Sequence, residues 1–411
     1  MRQGSKYYYL RGGTYSYRSK DFGVVRLPDG CLIGGKGPCI VPRSIDYSPE
    51  FIIGFLNSSF VNFLMNIQAN AKQFDTGIIE ALPFINFSIQ EKETISKISL
   101  KLINQKSELS FLKEESAEFR GFPVGSLLSE ILQEHNKSVN QYNFDLCESI
   151  EQIDNVVDSV FNVSGTELLK SIGDFLEDNV DKELQREIDE AVIMSIEDLA
   201  TDFVSYMVGI SFGRWASKFT SDSVDVFDEP EPTFVLESFD VERTPISVLS
   251  SDHLIRKLNT TVTQFENEKK GEILEEILDS IGCGSIDEYI ANGSLNFFSD
   301  HLKKYTVNRR ISPIYWPIAT KSNSFVIWLY YPALTDNTLF SVVNELVDPK
   351  IKDIAKEVEV LDMKGSAKEL NDQKEFLAEL EDFKEELLRV AQLPYKPNQD
   401  DGVLITAAPL H

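Results

Sequence analysis

A chain of 411 residues exceeds what one hydrophobic core ordinarily serves, since single cores stop growing near roughly 250 residues, so two or three domains are expected. Hydrophobic residues at 42% and charged residues at 26% form an ordinary globular balance, which excludes a wholly disordered chain. The net charge of -26 argues against nucleic acid along the whole surface, yet residues 1–86 hold nine Lys and Arg against six Asp and Glu, while the remainder holds 31 against 60.

In chain order, residues 1–43 mix aromatic, basic and Gly residues without helical periodicity. Short apolar runs such as Gly23–Leu27 and Cys31–Ile33 are bounded by Pro28-Asp29-Gly30 and Gly34-Gly35, which is strand-and-turn punctuation. From Ser48 to Ala69, Phe51, Ile52, Phe55, Leu56, Phe60, Phe63, Leu64 and Ile67 recur at helical spacing behind the start signal Ser48-Pro49-Glu50. Amphipathic helices are expected over Lys92–Glu118, Ser126–Asn140, Asp145–Val163 and Thr166–Val208. The acidic, Pro-containing stretch Ser221–Pro245 reads as a loop or interdomain crossing. Leu254–Ile281 and Ser285–His301 predict further helices, and 311–331 predicts a β-hairpin. Between Lys352 and Val390 the spacing of Leu377, Leu380, Phe383, Leu387 and Val390 predicts a long antiparallel or coiled-coil-like helix pair broken near Gly365-Ser366. The expected fold class is therefore α+β. A mixed α/β segment of residues 1–88 precedes a helical region, 89–220, and then a helical C-terminal region, 221–411, carrying the hairpin near 311–331 and the long helices of 352–390.

Few residues point to catalysis. The four histidines, His135, His253, His301 and His411, lie outside any His-Glu-x-x-His or Gly-x-Ser-x-Gly setting, and solvated or capping roles are expected for them. The sequence has no phosphate-cradling Gly-x-x-x-x-Gly-Lys-Ser/Thr loop and no Gly-x-Gly-x-x-Gly after a predicted strand, so nucleotide hydrolysis is disfavoured. Acidic pairs such as Asp400-Asp401 are expected by chance among 66 acidic residues, and no metal site is assigned. Cys31, Cys39, Cys147 and Cys283 lack Cys-x-x-Cys spacing and are expected to be buried free thiols in a reducing cytoplasm. No run approaches the roughly 20 apolar residues of a membrane span, so no membrane partner is expected and the expected location is cytoplasmic.

The densest physical signal is Lys6-Tyr7-Tyr8-Tyr9-Leu10-Arg11-Gly12-Gly13-Thr14-Tyr15-Ser16-Tyr17-Arg18-Ser19-Lys20, which interleaves rings, cations and small donors. Arg and Lys can bond guanine edges or phosphates, Tyr and Ser donate to phosphate oxygens, and Gly12-Gly13 permits close backbone approach. A groove-reading strand pair fits these residues, and so does a tyrosine-rich sheet edge whose cations are merely solvated.

Tyr15-Ser16-Tyr17-Arg18-Ser19, Gly30-Cys31-Leu32-Ile33 and Lys36-Gly37-Pro38-Cys39-Ile40 resemble the target-recognition domain of the PglX-type methyltransferases of BREX phage-defence systems and of related type IIG restriction-modification enzymes. The collinear series continues through Gly54-Phe55-Leu56-Asn57-Ser58-Ser59 and Phe74-Asp75-Thr76-Gly77-Ile78-Ile79-Glu80-Ala81-Leu82-Pro83. Beyond these, Gly209-Ile210-Ser211-Phe212-Gly213-Arg214-Trp215, Ser312-Pro313-Ile314-Tyr315-Trp316 and Asp400-Asp401-Gly402-Val403-Leu404-Ile405 look like C-terminal landmarks of that family.

The resemblance implies double-stranded DNA as a partner, read by residues among Lys6, Tyr7, Tyr8, Arg11, Thr14, Tyr15, Tyr17, Arg18 and Ser19, with Lys36 and Lys72 on phosphates. Those enzymes use an Asn-Pro-Pro-Tyr loop to hold a flipped adenine. Neither that tetrapeptide nor a glycine-rich loop for S-adenosylmethionine occurs in this sequence, so no catalytic or cofactor-binding residue is assigned. The expectation is a recognition portion that begins with its domain already under way, partnered by a methyltransferase catalytic subunit or domain and by other defence-system proteins. The rival expectation, motivated by the acidic remainder, is a protein-interaction scaffold or DNA mimic.

Overall fold

A computed structural model describes residues 7–19, 21–28, 30–31, 37–69, 73–116, 118–168, 191–215, 246–266, 269, 271–291, 297–307, 310–311, 313–364 and 367–393. The protein is a mixture of helix and small antiparallel sheets, 63% helical, in keeping with the α+β class. It divides into two compact units, one of residues 1–121 and 133–194, the other of residues 122–132 and 195–411.

The first unit opens with β1 (Gly13–Tyr15), β2 (Val24–Arg26) and β3 (Cys39–Ile40), an antiparallel sheet in the order β2-β1-β3. Thr14 faces Val25 and Cys39 across the strands, and Tyr15 faces Val24. Alternation sends Tyr15 and Val24 into the core and leaves Val25 exposed, as period-two side chains on a half-solvated sheet require.

The helix expected over Ser48–Ala69 is two helices, α1 (Pro49–Leu56) and α2 (Ser59–Gln68). Ser48 caps α1 by accepting from the Phe51 N–H, with Pro49 in its first turn. The break comes from side chains that compete with the helix. Asn57 accepts from the Val24 N–H at 3.0 Å and donates to the Val24 carbonyl at 2.7 Å, stitching the end of α1 to β2. Ser58 then caps α2, and Asp154 accepts from the Ser59 N–H and hydroxyl. Gly54 lets α1 lie on α4 (Ile89–Glu108), because a Cβ there would meet Ser99 and Ile95. A core of Phe51, Phe55, Val61, Met65 and Phe74 lies beneath, and α5 (Leu128–Phe161) adds Ile153 and Val157 to it. The interruption expected between Asn140 and Asp145 does not occur, since α5 runs unbroken through it. The helix α4 stops at Glu108, short of the expected Glu118.

Part of the helix expected over Thr166–Val208 falls outside the described residues. Of the rest, 191–195 is not helical, and a helix then spans Ile196–Phe212. In the second unit the helices expected over 254–281 and 285–301 are four: Ser251–Glu266, Glu272–Ile281, Ile286–Ala291 and Phe297–Lys304. Gly271, at φ +82°, lies just before the second of these. The hairpin expected near 311–331 is β7 (Tyr315–Ala319) with β8 (Val326–Tyr330), and β4 (Val248–Ser250) adds a strand that sequence reading missed, in the order β4-β8-β7. A smaller hairpin pairs β5 (Thr306–Val307) with β6 (Arg310–Ile311). The long pair is present as helices Asp348–Lys364 and Ala367–Ala391, antiparallel, with Lys374 on Asp362 and Lys384 on Asp348. The acidic stretch 221–245 and the landmark at 400–405 lie outside the described residues.

Two C-terminal landmarks meet in one aromatic core. Phe212 stacks on Tyr315 with ring centroids 5.4 Å apart, and Gly209 leaves room for the Trp215 indole, which a Cβ would strike. Arg214 donates to the Tyr305 hydroxyl at 3.0 Å and lies over the Trp215 ring. His301, expected in a solvated or capping role, is 2% exposed, and its Nε2 accepts from the backbone N–H groups of Ile314 and Tyr315 at 3.0 and 3.2 Å. His135 is buried as well, and burial lowers its pKa. The cysteines are free but not buried as expected: Cys31, Cys39 and Cys283 are half-buried, and Cys147 is exposed on α5. Among the described residues no single helix is long and apolar enough to cross a membrane. The bent pair α1 and α2 passes by composition, but its Phe51, Phe55 and Val61 fill the core.

Candidate nucleic-acid interface

The described residues among those expected to read DNA lie on β1 and its flanks, and the structure gives them different tasks. Lys6, Lys36 and Lys72 lie outside the described residues. Tyr15 leaves the reading surface: it is 3% exposed, its ring packs against Phe22, and burial pushes its hydroxyl pKa up to about 12. Period two explains this, because Tyr15 follows Thr14 and must take the opposite face. Thr14 stays half-buried on the outer face, where its hydroxyl donates to the Pro38 carbonyl at 3.0 Å. The close approach permitted by Gly12-Gly13 is made inside the protein. A Cβ on Gly12 would strike the Ile40 carbonyl, and one on Gly13 would strike Val24.

Tyr17 and Arg18 form an ordered cluster with residues that sequence reading did not assign to the site. Arg18 pairs with Gln73 through a backbone bridge, and the Tyr17 carbonyl accepts from the Phe74 N–H at 2.9 Å, so segment 17–18 is strapped to segment 73–74. The Gln73 Oε1 accepts from Arg18 Nε at 3.3 Å and Nη2 at 2.9 Å, while its Nε2 donates to the Tyr17 hydroxyl. That hydroxyl donates to Asp75 Oδ1 at 2.7 Å, and this bond raises the Tyr17 pKa. Gln73 thus orients the exposed Arg18 guanidinium from its Nε–Nη2 edge. The available signal was the Phe74-Asp75-Thr76 run, in which Phe74 packs on Phe22 and Asp75 heads the short helix α3 (Thr76–Glu80).

Before β1, Arg11 is 63% exposed at its side chain and lies 3.5 Å from Glu50 in the first turn of α1. Tyr7 and Tyr8 are half-buried, and Tyr8 meets the exposed Tyr9 edge-on at 6.4 Å. Ser19 is half-buried and donates to the Asp21 carbonyl two residues on. The surface therefore presents two exposed arginines, Arg11 and Arg18, flanking β1, with Tyr7, Tyr8 and Tyr17 beside them. The outer sheet face between the arginines carries Thr14 and Val25. Comparison of the sequence with protein-family models finds no match, and a search among curated proteins finds no relative.

Proposed function

We propose that this chain is the DNA-recognition part of an adenine-specific DNA methyltransferase of a BREX-like or restriction-modification defence system. In this reading a partner subunit or domain carries the Asn-Pro-Pro-Tyr loop and S-adenosylmethionine. The support is the sequence resemblance together with the Tyr17–Arg18–Gln73–Asp75 cluster, in which an exposed guanidinium is oriented in advance by a carboxamide. An arginine ordered before binding loses less side-chain freedom when it forms a bidentate contact with guanine O6 and N7, a contact that discriminates by roughly 1–3 kcal/mol.

The reading is tested in cells holding the chain and its catalytic partner, by sequencing the methylome of Arg11→Ala and Arg18→Ala variants. The expected result is a relaxed or lost methylation motif in both. Retention of the wild-type motif at wild-type frequency in both variants contradicts it. Gln73→Ala provides a finer test: it removes the orienting carboxamide while leaving the cation, so the expected outcome is a weakened preference rather than a lost one.

A further inference from the structure

Arg18 and Asp75 carry opposite charges in one cluster, yet the Gln73 carboxamide stands between them. Its oxygen accepts from Arg18 Nε and Nη2 at 3.3 and 2.9 Å, and its nitrogen faces Asp75 Oδ1 and Oδ2 at 3.5 and 3.4 Å. A direct arginine–carboxylate fork would use up the polar ends of both groups. The carboxamide instead turns the matching end of its dipole to each charge and leaves each with hydrogen-bonding capacity to spare.

On Arg18 the Nε edge of the guanidinium is taken, so Nη1 and the second hydrogen of Nη2 remain as an end-on fork. The side chain is exposed, and among the described residues that fork has no protein acceptor. Asp75 is exposed too. It stands at the N-cap position of α3 but its carboxylate accepts from no helix N–H there, forgoing a bond that ordinarily stabilises a helix start. Oδ1 accepts instead from the Tyr17 hydroxyl at 2.7 Å, and Oδ2 keeps only the long contact with Gln73. A donor fork and an acceptor thus stand side by side on one hydrogen-bonded scaffold.

We infer that Arg18 and Asp75 together read a single guanine–cytosine pair in the major groove, which makes Asp75 a specificity-determining residue. The inference rests on the reading of the chain as a DNA-recognition part. The Arg18 fork donates to guanine N7 and O6, and Asp75 Oδ2 accepts from the cytosine N4 amine. Across the major groove such a pair presents acceptor, acceptor and donor in that order, and the two side chains present donor, donor and acceptor. An adenine–thymine pair sets the adenine amine against the guanidinium and thymine O4 against the carboxylate. Donor then meets donor and acceptor meets acceptor, so Asp75 acts by rejection as well as by attraction. The neighbouring guanidinium also offsets the repulsion between a lone carboxylate and the phosphates.

The test selects binding sequences from a pool of random duplex DNA with the purified chain, its Arg18→Ala variant and its Asp75→Asn variant. Asparagine keeps an oxygen for the Tyr17 hydroxyl but can also turn a donor outward, so the penalty against thymine O4 goes. The expected result is a wild-type motif with a fixed guanine–cytosine pair, relaxed at that same pair by both variants. If the wild-type chain selects no motif, the DNA-recognition reading fails and the inference falls with it. If it selects a motif but the two variants relax different pairs, or Asp75→Asn relaxes none, the reading stands and the inference is overturned. A second measurement leaves the protein unaltered. N4-methylcytosine placed at the pair replaces the groove-facing amine hydrogen, so the wild-type chain should bind that duplex about ten-fold more weakly. Equal affinity for the methylated and unmethylated duplexes overturns the contact.

Discussion

Among the described residues, two three-stranded antiparallel sheets use similar residues to opposite ends. In β2-β1-β3 the central strand is three residues long and buried on one face only, and its flanks carry Arg11, Tyr17 and Arg18 at the surface. In β4-β8-β7 the central strand is five residues long and buried throughout. The tyrosines, tryptophan and arginine around that sheet, Tyr315, Tyr330, Trp328 and Arg214, serve packing. Interleaved rings and cations therefore do not by themselves mark a binding surface. What separates the two cases is how many faces of the central strand the helices cover.

The comparison can be broken most severely at the second sheet. Trp328 is fully buried, so Trp328→Ala should cost about 3–5 kcal/mol of stability, measured by denaturant titration. A cost below about 1 kcal/mol would mean that this sheet is not the packed core described above. At the first sheet the expected loss is smaller. Asn57→Ala removes two hydrogen bonds to Val24 and leaves those backbone groups to find other partners, so about 1–3 kcal/mol is expected from the same titration.

A pH experiment sharpens the contrast further. Burial, with Arg214 and Lys304 nearby, lowers the pKa of His301 to about 3, against roughly 6.5 in an unfolded chain. The unfolded state therefore takes up the proton first as pH falls. The stabilisation that neutral His301 gives is complete above about pH 6.5 and is lost progressively towards pH 3. A His301→Gln variant keeps an acceptor for Ile314 and Tyr315 but cannot titrate. Its stability deficit against the wild type should thus shrink between pH 7 and pH 4.5, and a constant deficit would count against the buried neutral imidazole.

Much of this contrast was readable in the sequence. Ser48-Pro49-Glu50 marked the start of α1, the aromatic and β-branched run at 311–331 marked the β7–β8 hairpin, and the spacing of Leu377 to Val390 marked a long helix. The misreadings have physical causes. The Ser48–Ala69 periodicity continued across a break made by Asn57 and Ser58, whose bonds to β2 and to the next helix depend on tertiary contacts. The burial of His301 was not legible because nothing local announces that two backbone N–H groups 13 and 14 residues away converge on it. At the candidate interface Arg11, Tyr17 and Arg18 were legible as chemistry, but Tyr15 was misplaced because a burial face cannot be fixed until the register of β1 is known. Gln73 and Asp75, more than 50 residues away in sequence, could not be assigned as partners from periodicity.

The central claim is that the exposed arginines flanking β1 engage duplex DNA, and the salt dependence of binding by the purified chain tests it most directly. With log affinity plotted against log salt, the claim predicts a straight fall with a slope of about -0.9 for each phosphate neutralised. The slope should correspond to few phosphates, because the residues beyond 86 carry 60 acidic against 31 basic side chains; Lys36→Ala with Lys72→Ala should make it shallower, whereas Arg11→Ala with Arg18→Ala should chiefly lower the preference for the target site. No DNA binding at any salt concentration would contradict the claim and favour an acidic protein-interaction scaffold.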